Sequence, residues 1–372
     1  MNKVTLMAVG DTGPFVEPPE KLFEAVKDIL STADLRFAQV ERTFSTRGVY
    51  QEISFGRHSR VAPHLASVYS AIGFDVVSLA SNHTGDWGSD PVVDTIKLIR
   101  DQGIATIGTG SNIKEARTPA ILEKNGLRIG FLGYSSVLLP QYWATESRPG
   151  CAPVRAYTYY RPYEYQPGAP PFVYSVADRE DLAAMVEDIK SVRNKVDIVV
   201  CSFHWGVHFL PRYIADYQIE VGHAAIDAGC DLILGHHAHL LKGIEVYRGK
   251  PCLYSLGNFA LCSPIKTPGS KSMCAPDGKF SMSQVYDISL GPGHNYQHKD
   301  YFNYSMITKI ELGKKGGIGL GLLPVYNENG QKPIVLRPED PRFTEVVRLM
   351  EWSSEPFGTK FELKDGVMRV LI

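Results

Sequence analysis

The string Gly235-His236-His237-Ala238-His239 puts three imidazoles into four positions, directly after the apolar run Asp231-Leu232-Ile233-Leu234. A ring buried where a strand opens into a loop must find a hydrogen-bond partner or a metal, so the cluster is costly unless it does chemistry. The plain alternative is one satisfied core or capping histidine beside solvated neighbours. Four other places carry matching groups. They are Asp11 in Gly10-Asp11-Thr12, Glu41 in Gln39-Val40-Glu41, Asn82 and His83 in Ser81-Asn82-His83-Thr84-Gly85-Asp86, and His204 in Phe203-His204-Trp205-Gly206. Carboxylates, an amide oxygen and several imidazoles suit two divalent ions held side by side, with Zn, Mn and Fe all accepted by such donors. Paired ions of this kind sit ~3.5–4 Å apart and bring the pKa of a bound water to about 7, which points to phosphoryl or carbonyl hydrolysis.

These groups are useful only if the chain brings them together. Apolar runs at residues 4–9, 34–40, 75–80, 105–107, 197–203 and 231–234 read as strands. Amphipathic stretches at 19–30, 61–72, 90–101, 178–192 and 214–228 read as helices. Hairpins are expected at 120–134 through Asn125-Gly126 and at 243–256 through Arg248-Gly249. The alternation predicts an α/β protein. Each polar group falls just past a strand, and the carboxyl edge of such a sheet is where ligands bind, so five strands can deliver to one site. Two regions break the rhythm. Residues 149–174, rich in Pro, Gly and Tyr, read as a long excursion that either packs or caps the site. Beyond Phe259 come a Pro/Gly/Ser-rich stretch to Gly278, Gly-rich turns at 313–321 and a last helix near 343–350.

Composition narrows the class. The 372 residues suffice for a large core, and 44% hydrophobic with 21% charged residues is ordinary for a globular protein. Lys plus Arg (39) nearly cancels Asp plus Glu (40), so nothing suggests a nucleic-acid or anionic-membrane partner. The six cysteines form no Cys-x-x-Cys pair, and no run reaches the ~18 apolar residues of a membrane span. With no signal-like segment at its start, the chain is expected to be reduced and cytoplasmic.

The ordered motifs Gly10-Asp11, Val40-Glu41, Ser81-Asn82-His83 with Asp86-Trp87-Gly88, His204-Trp205-Gly206, Gly235-His236-His237-x-His239 and Tyr254-Ser255-Leu256-Gly257-Asn258-Phe259 resemble the CapA family of poly-gamma-glutamate capsule biosynthesis proteins. That family is in turn similar to calcineurin-like metallophosphoesterases. The resemblance implies a metallophosphatase-like four-layer αββα sandwich of mixed sheets, with the metal site at the carboxyl ends of strands. It implies a CapA-like domain over residues 1–262 carrying a Tyr/Pro-rich insertion at 139–177, and an extension at 263–372 packed on the same domain. It further implies that Asp11 and His239 hold one divalent ion, that Asn82, His204 and His237 hold the other, and that Glu41 bridges. His83 is then the general acid or leaving-group stabiliser, oriented by Asp86. His208, His236 and Asn258 are expected on the substrate side, with His236 alternatively behind the ligands and Asn258 alternatively a positive-φ turn residue.

Three features depart from the family. Gln39 replaces the usual Asn two residues before the carboxylate, His208 replaces the Glu of His-Trp-Gly-x-Glu, and the amino-terminal anchor of capsule-associated members is not seen. His208 alters either substrate charge preference or an outer hydrogen bond. Around the site, Arg42, Arg57 and Arg60 read either as a basic rim suited to an anionic substrate or as a solvated loop, while His58 and His64 either are solvated or line the mouth, and His223 reads as structural. The expected activity is hydrolysis of a phosphoester by metal-bound hydroxide, on a small anionic or glutamyl-type substrate. The alternatives are amide chemistry on a gamma-glutamyl substrate and a non-enzymatic role in a polymer-making assembly.

Overall fold

The computed structural model describes residues 3–51, 60–166, 168–261, 301–314 and 317–372. Arg57, His58, Cys262, Cys274 and the Pro/Gly/Ser-rich stretch to Gly278 lie outside the described residues. Strands β1 (Lys3–Gly13), β2 (Leu35–Val40), β3 (Val76–Ser78) and β4 (Ala105–Ile107) run parallel, connected by α1 (Lys27–Ser31), α2 (Ser67–Ile72) and α3 (Ser89–Arg100). After the short β5 (Thr109–Gly110) and α4 (Ile113–Ala116), the hairpin β6 (Ala120–Lys124) and β7 (Leu127–Ser135) begins a second sheet. Its turn is Asn125-Gly126, both at positive φ (50° and 72°), the geometry that suits a two-residue hairpin. The two-residue β8 (Gly150–Cys151) pairs with β5, and β9 (Ala156–Arg161) with β10 (Phe172–Ala177) forms a hairpin of its own.

The second sheet continues through α5 (Arg179–Arg193), β11 (Ile198–His204), α6 (Asp216–Asp227), β12 (Leu232–His236), β13 (Ile244–Tyr247) and β14 (Lys250–Leu253). The Asp178 carboxylate caps α5 by accepting from the Glu180 and Asp181 amides. The chain then crosses back, and β15 (Asn258–Leu261) lies parallel to the end of β1, with Asn258 opposite Asp11. Strands β16 (Tyr304–Gly313), β17 (Ile318–Glu328), β18 (Lys332–Val335), β19 (Phe361–Lys364) and β20 (Val367–Val370) complete the first sheet, with a helix at Pro341–Ser354 between them.

Alternation along the strands builds three apolar layers. Val4, Leu6, Ala8 and Phe37 of the first sheet meet Ile129, Phe131, Val200 and Leu234 of the second, and the rings of Phe37 and Phe131 stack with centroids 6.5 Å apart. The opposite faces bury Met7, Val9 and Val77 under α1 to α3, and Val199, Cys201 and Ile233 under α5 and α6. The result is the expected mixed α/β sandwich of four layers, αββα. Cys151, Cys201, Cys230 and Cys252 are buried free thiols. Among the described residues no helix is long and apolar enough to cross a membrane.

Several elements differ from the sequence reading. Residues 19–30 form a 3-10 turn, Pro19–Leu22, and then the short α1, rather than one helix. The apolar face survives, with Leu22, Phe23, Val26 and Leu30 buried, because packing constrains where the side chains point more than the hydrogen-bond pattern beneath them. Pro63 similarly opens a 3-10 turn, Pro63–Ala66, so that α2 starts only at Ser67. The glycines at 319 and 321 are strand residues. A Cβ on Gly321 would stand 2.8 Å from Val367 Cγ1, so glycine here marks a close neighbouring strand instead of a turn. Strands β16 to β20 were not read from the sequence.

Because β16 pairs with residues 3–8 of β1 in the middle of the first sheet, deleting residues 304–372 is expected to abolish folding, seen as loss of near-ultraviolet circular dichroism. Ile310→Ala, at a fully buried β16 position, should cost about 2–5 kcal/mol in urea unfolding.

Candidate metal centre

Two sheets, not one run of five neighbouring strands, supply the site. Asp11 lies near the end of β1, Glu41 follows β2, and Asn82 and His83 follow β3, all in the first sheet. His204 ends β11 and His236 ends β12 in the second, with His237 and His239 just beyond. The backbone is shaped for this convergence. Gly10 has no side chain because a Cβ there would lie 1.9 Å from Gly257 O, the same carbonyl that accepts from Asp11 N at 3.0 Å. His237 and His239 take positive φ (87° and 59°), an arrangement that costs backbone energy and turns both rings inward.

Asp11, Glu41 and His239 offer ligand atoms that all lie within 4.8 Å of one another. Glu41 Oε1 is 3.7 Å from His239 Nε2, 3.7 Å from His204 Nε2 and 4.0 Å from His83 Nε2. On the other side of Glu41, His204 Nε2 is 2.7 Å from Asn82 Oδ1 and 3.2 Å from His237 Nδ1. Asp11 Oδ2 accepts from the His237 amide at 3.2 Å. All six expected ligand side chains therefore come together, with Glu41 between the pair Asp11 and His239 and the trio Asn82, His204 and His237.

Burial makes the electrostatics severe. Asp11 and His204 are fully buried and Glu41 is 1% exposed, yet among the described residues Asp11 Oδ1 and both Glu41 oxygens find no hydrogen-bond donor. Burial pushes Glu41 up to about 7 against the pull of His239. Burial also lowers His204 to about 3 and drives His83 and His237 well below the usual imidazole range. Burial would raise Asp11 too, but the adjacent His236 holds it below the ordinary carboxylate value. Buried acceptors that face one another with too few donors are what a divalent cation satisfies, so the donor set fits the metals expected from the residue types.

Around this centre the structure sorts the remaining candidates. His83 Nδ1 is 2.8 Å from Asp86 Oδ2, and Asp86 Oδ1 accepts from Tyr142 OH at 3.1 Å. Among the described residues His208 Nε2 has no hydrogen-bond partner, and its ring lies over His237 and His239 with centroids 3.7 and 5.2 Å away. His236 is fully buried, 3.5 Å from Asp11 Oδ1 and beside the Phe37 ring, which is a place behind the ligands and not on a pocket wall. Asn258 is not a positive-φ residue; Gly257 takes that conformation. Asn258 Oδ1 instead accepts from His239 Nδ1 at 2.8 Å, which leaves Nε2 as the free lone pair.

The basic rim does not form from the described arginines. Arg42 is buried, with its guanidinium on the Glu41 carbonyl, and Arg60 lies over the Trp87 ring and donates to Gly48 O. His64 forms an exposed pair with Glu17, and His223 bonds Glu245 on the far side of the sheet. The Tyr/Pro-rich insertion at 139–177 is largely an exposed hairpin anchored on α6 through Asp216 and Glu220, and near its start Tyr142 reaches the site. Three contributors went unread in the sequence: Tyr142, Lys242 and Asn327. Asn327 is fully buried and donates to Asn258 O at 2.8 Å. Only Lys242 left a signal, a lysine inside the apolar run Leu240-Leu241-Lys242-Gly243-Ile244.

A four-layer αββα sandwich thus carries a cluster of carboxylate, amide and imidazole donors, of a kind that could hold a metal ion, on its shared strand edge. Residues 6–262 match the family described as bacterial capsule synthesis protein PGA_cap, and the chain belongs to it. The PGA biosynthesis protein CapA of Bacillus subtilis (strain 168) is 28% identical over 241 residues, 64% of this chain and 56% of that protein. The uncharacterized protein y4sH of Sinorhizobium fredii is 24% identical over 426 aligned residues, covering 98% of this chain and 92% of that one. The chain spans about half the length of the CapA proteins it matches. A solved structure, a hypothetical protein from Thermus thermophilus, is 13% identical with a TM-score of 0.40 and covers 89% of this chain and 98% of that one.

Calorimetric titration of the purified protein with Zn or Mn is expected to show uptake that Asp11→Asn abolishes. Asn258→Ala should weaken it by about 10–100-fold by freeing the His239 ring.

Proposed function

We propose that the chain is a divalent-metal-dependent hydrolase that cleaves a small phosphoester. The observation that carries this is the placement of His83 and Asp86 beside the bridging position of Glu41, since a purely structural metal site needs no oriented imidazole there. Asp11, Glu41 and His239 would hold one ion, and Asn82, His204 and His237 the other, with Glu41 shared. Such ions supply Lewis acidity toward an ester oxygen and acidify water at neutral pH.

The chain's own residues do the rest. Asp86 accepts from His83 Nδ1, which leaves Nε2 as the working nitrogen, within 3.0 Å of Asn82 Nδ2. His83 is neutral because it is buried, so its Nε2 can take the proton given up by the attacking water and deliver it to the departing oxygen. Asp86 steadies the imidazolium formed in between, and Tyr142 OH holds Asp86 in place. His208, its Nε2 unpaired above His237 and His239, is the group we assign to substrate contact. The four buried free thiols agree with work in a reducing compartment such as the cytoplasm.

A second reading, amide chemistry on a gamma-glutamyl substrate, draws on the family and on the relative named a PGA biosynthesis protein. A panel of phosphoesters and gamma-glutamyl amides, assayed with and without chelator, separates the two. Chelator-sensitive turnover of a phosphoester is expected; silence on every phosphoester retires the first reading. His83→Ala should lower kcat by about 10²–10⁴-fold while metal content is unchanged. Biological function undiminished by His83→Ala would instead favour a non-enzymatic subunit.

A further inference from the structure

Lys242 is 1% exposed, and among the described residues no carboxylate pairs with it. Its Nζ donates to two main-chain carbonyls, Val207 O at 2.9 Å and Tyr213 O at 2.7 Å. A buried amine is tolerated only where hydrogen bonds replace its water, and here both acceptors belong to one loop. They stand on either side of His208. Burial lowers the Lys242 pKa to about 7, yet ammonium and neutral amine alike keep enough N–H groups for both carbonyls.

Other contacts also fix the loop: Gly206 N donates to the Tyr217 hydroxyl at 2.6 Å, Leu210 is buried, and the Arg212 guanidinium lies over the Trp352 ring. Gly206, Phe209 and Arg212 all adopt positive φ (88°, 60° and 63°), and the latter two are L residues in a conformation they rarely take. Phe209 N donates to Ala238 O at 3.1 Å, inside the His cluster, and the Phe209 ring packs 5.5 Å from that of His239. Arg212 leaves outward to Glu355. Lys242 therefore ties both shoulders of the loop to the segment that carries His237 and His239.

We infer that Lys242 is a positioning residue: it clamps residues 207–213 onto the chain just past the His cluster and so holds the His208 ring over His237 and His239. This rests on the metal-site reading above only for its effect on ligand binding, because the clamp itself is a statement about the loop.

Hydrogen exchange by mass spectrometry, on protein with and without metal, tests the clamp. In Lys242→Met, amides of residues 207–213 should exchange about tenfold faster while the sheets stay as in the parent. Unchanged exchange in the loop overturns the inference. Should that variant not fold, Lys242→Gln, able to reach one carbonyl, decides on the same criterion. The action through His208 is read from inorganic phosphate binding to the Co-loaded protein. Lys242→Met and His208→Ala should each weaken it about tenfold, with the double variant no weaker than the worse single one. Fully additive losses overturn positioning through His208. If the parent protein binds neither metal nor phosphate, the hydrolase reading fails, and the exchange result still decides the clamp.

Discussion

Two carboxylates, Asp11 and Glu41, are buried at the meeting edge of two sheets without enough donors of their own. Burying a carboxylate this way costs several kcal/mol unless an opposite charge or a proton compensates it. Three of the imidazoles around them, His83, His204 and His237, cannot compensate as cations, since burial holds them neutral. The edge is thus a place where the polypeptide alone is electrostatically incomplete, and divalent cations are the natural complement to its donors. The tight turn at Gly257, the glycine at position 10 and the positive φ at His237 and His239 all serve to bring these groups within reach of each other.

Face-to-face packing of the sheets makes this possible. Phe37 and Phe131 stack across the interior, and the parallel strands on both sides end at the same edge. Residues separated by more than two hundred positions become neighbours there, as when the His237 amide donates to Asp11. Polar layers then steady each ring in turn. Asn327 holds the Asn258 main chain and Asn258 holds His239; Tyr142 holds Asp86 and Asp86 holds His83. Each relay ends on a residue far away in sequence, which ties the carboxyl-terminal strands and the excursion to the same site.

How much of this was legible depends on the range of the interaction. The β6–β7 and β13–β14 hairpins and the helices α3, α5 and α6 lie close to where local pattern puts them, because turn chemistry and amphipathic period are written in neighbouring residues. The His cluster and its companions were legible for a related reason: groups at strand ends recur in step with the elements. Helix continuity at 19–30 and strands β16 to β20 were not, since the first is interrupted by proline-led 3-10 geometry and the second are built outward from β16, which pairs with β1 some three hundred residues away. Roles that hinge on orientation also stayed open. His236 and His237 are adjacent, yet one ring faces the interior behind Asp11 and the other faces His204.

What the sequence by itself determined was the inventory: which side chains can ligate, in what order, and that an α/β alternation spaces them. Those properties are local or periodic, so a linear reading contains them. Only the tertiary structure decided that Glu41 sits between the Asp11–His239 pair and the trio Asn82, His204 and His237, that Asn258 partners His239 instead of turning the chain, that Arg42 is buried rather than on a rim, and that Lys242 and Tyr142 belong to the site at all. These are facts about distance and direction between segments remote in the chain, and they come into being only when two apolar sheet faces close on one another and leave their polar ends no water to turn to.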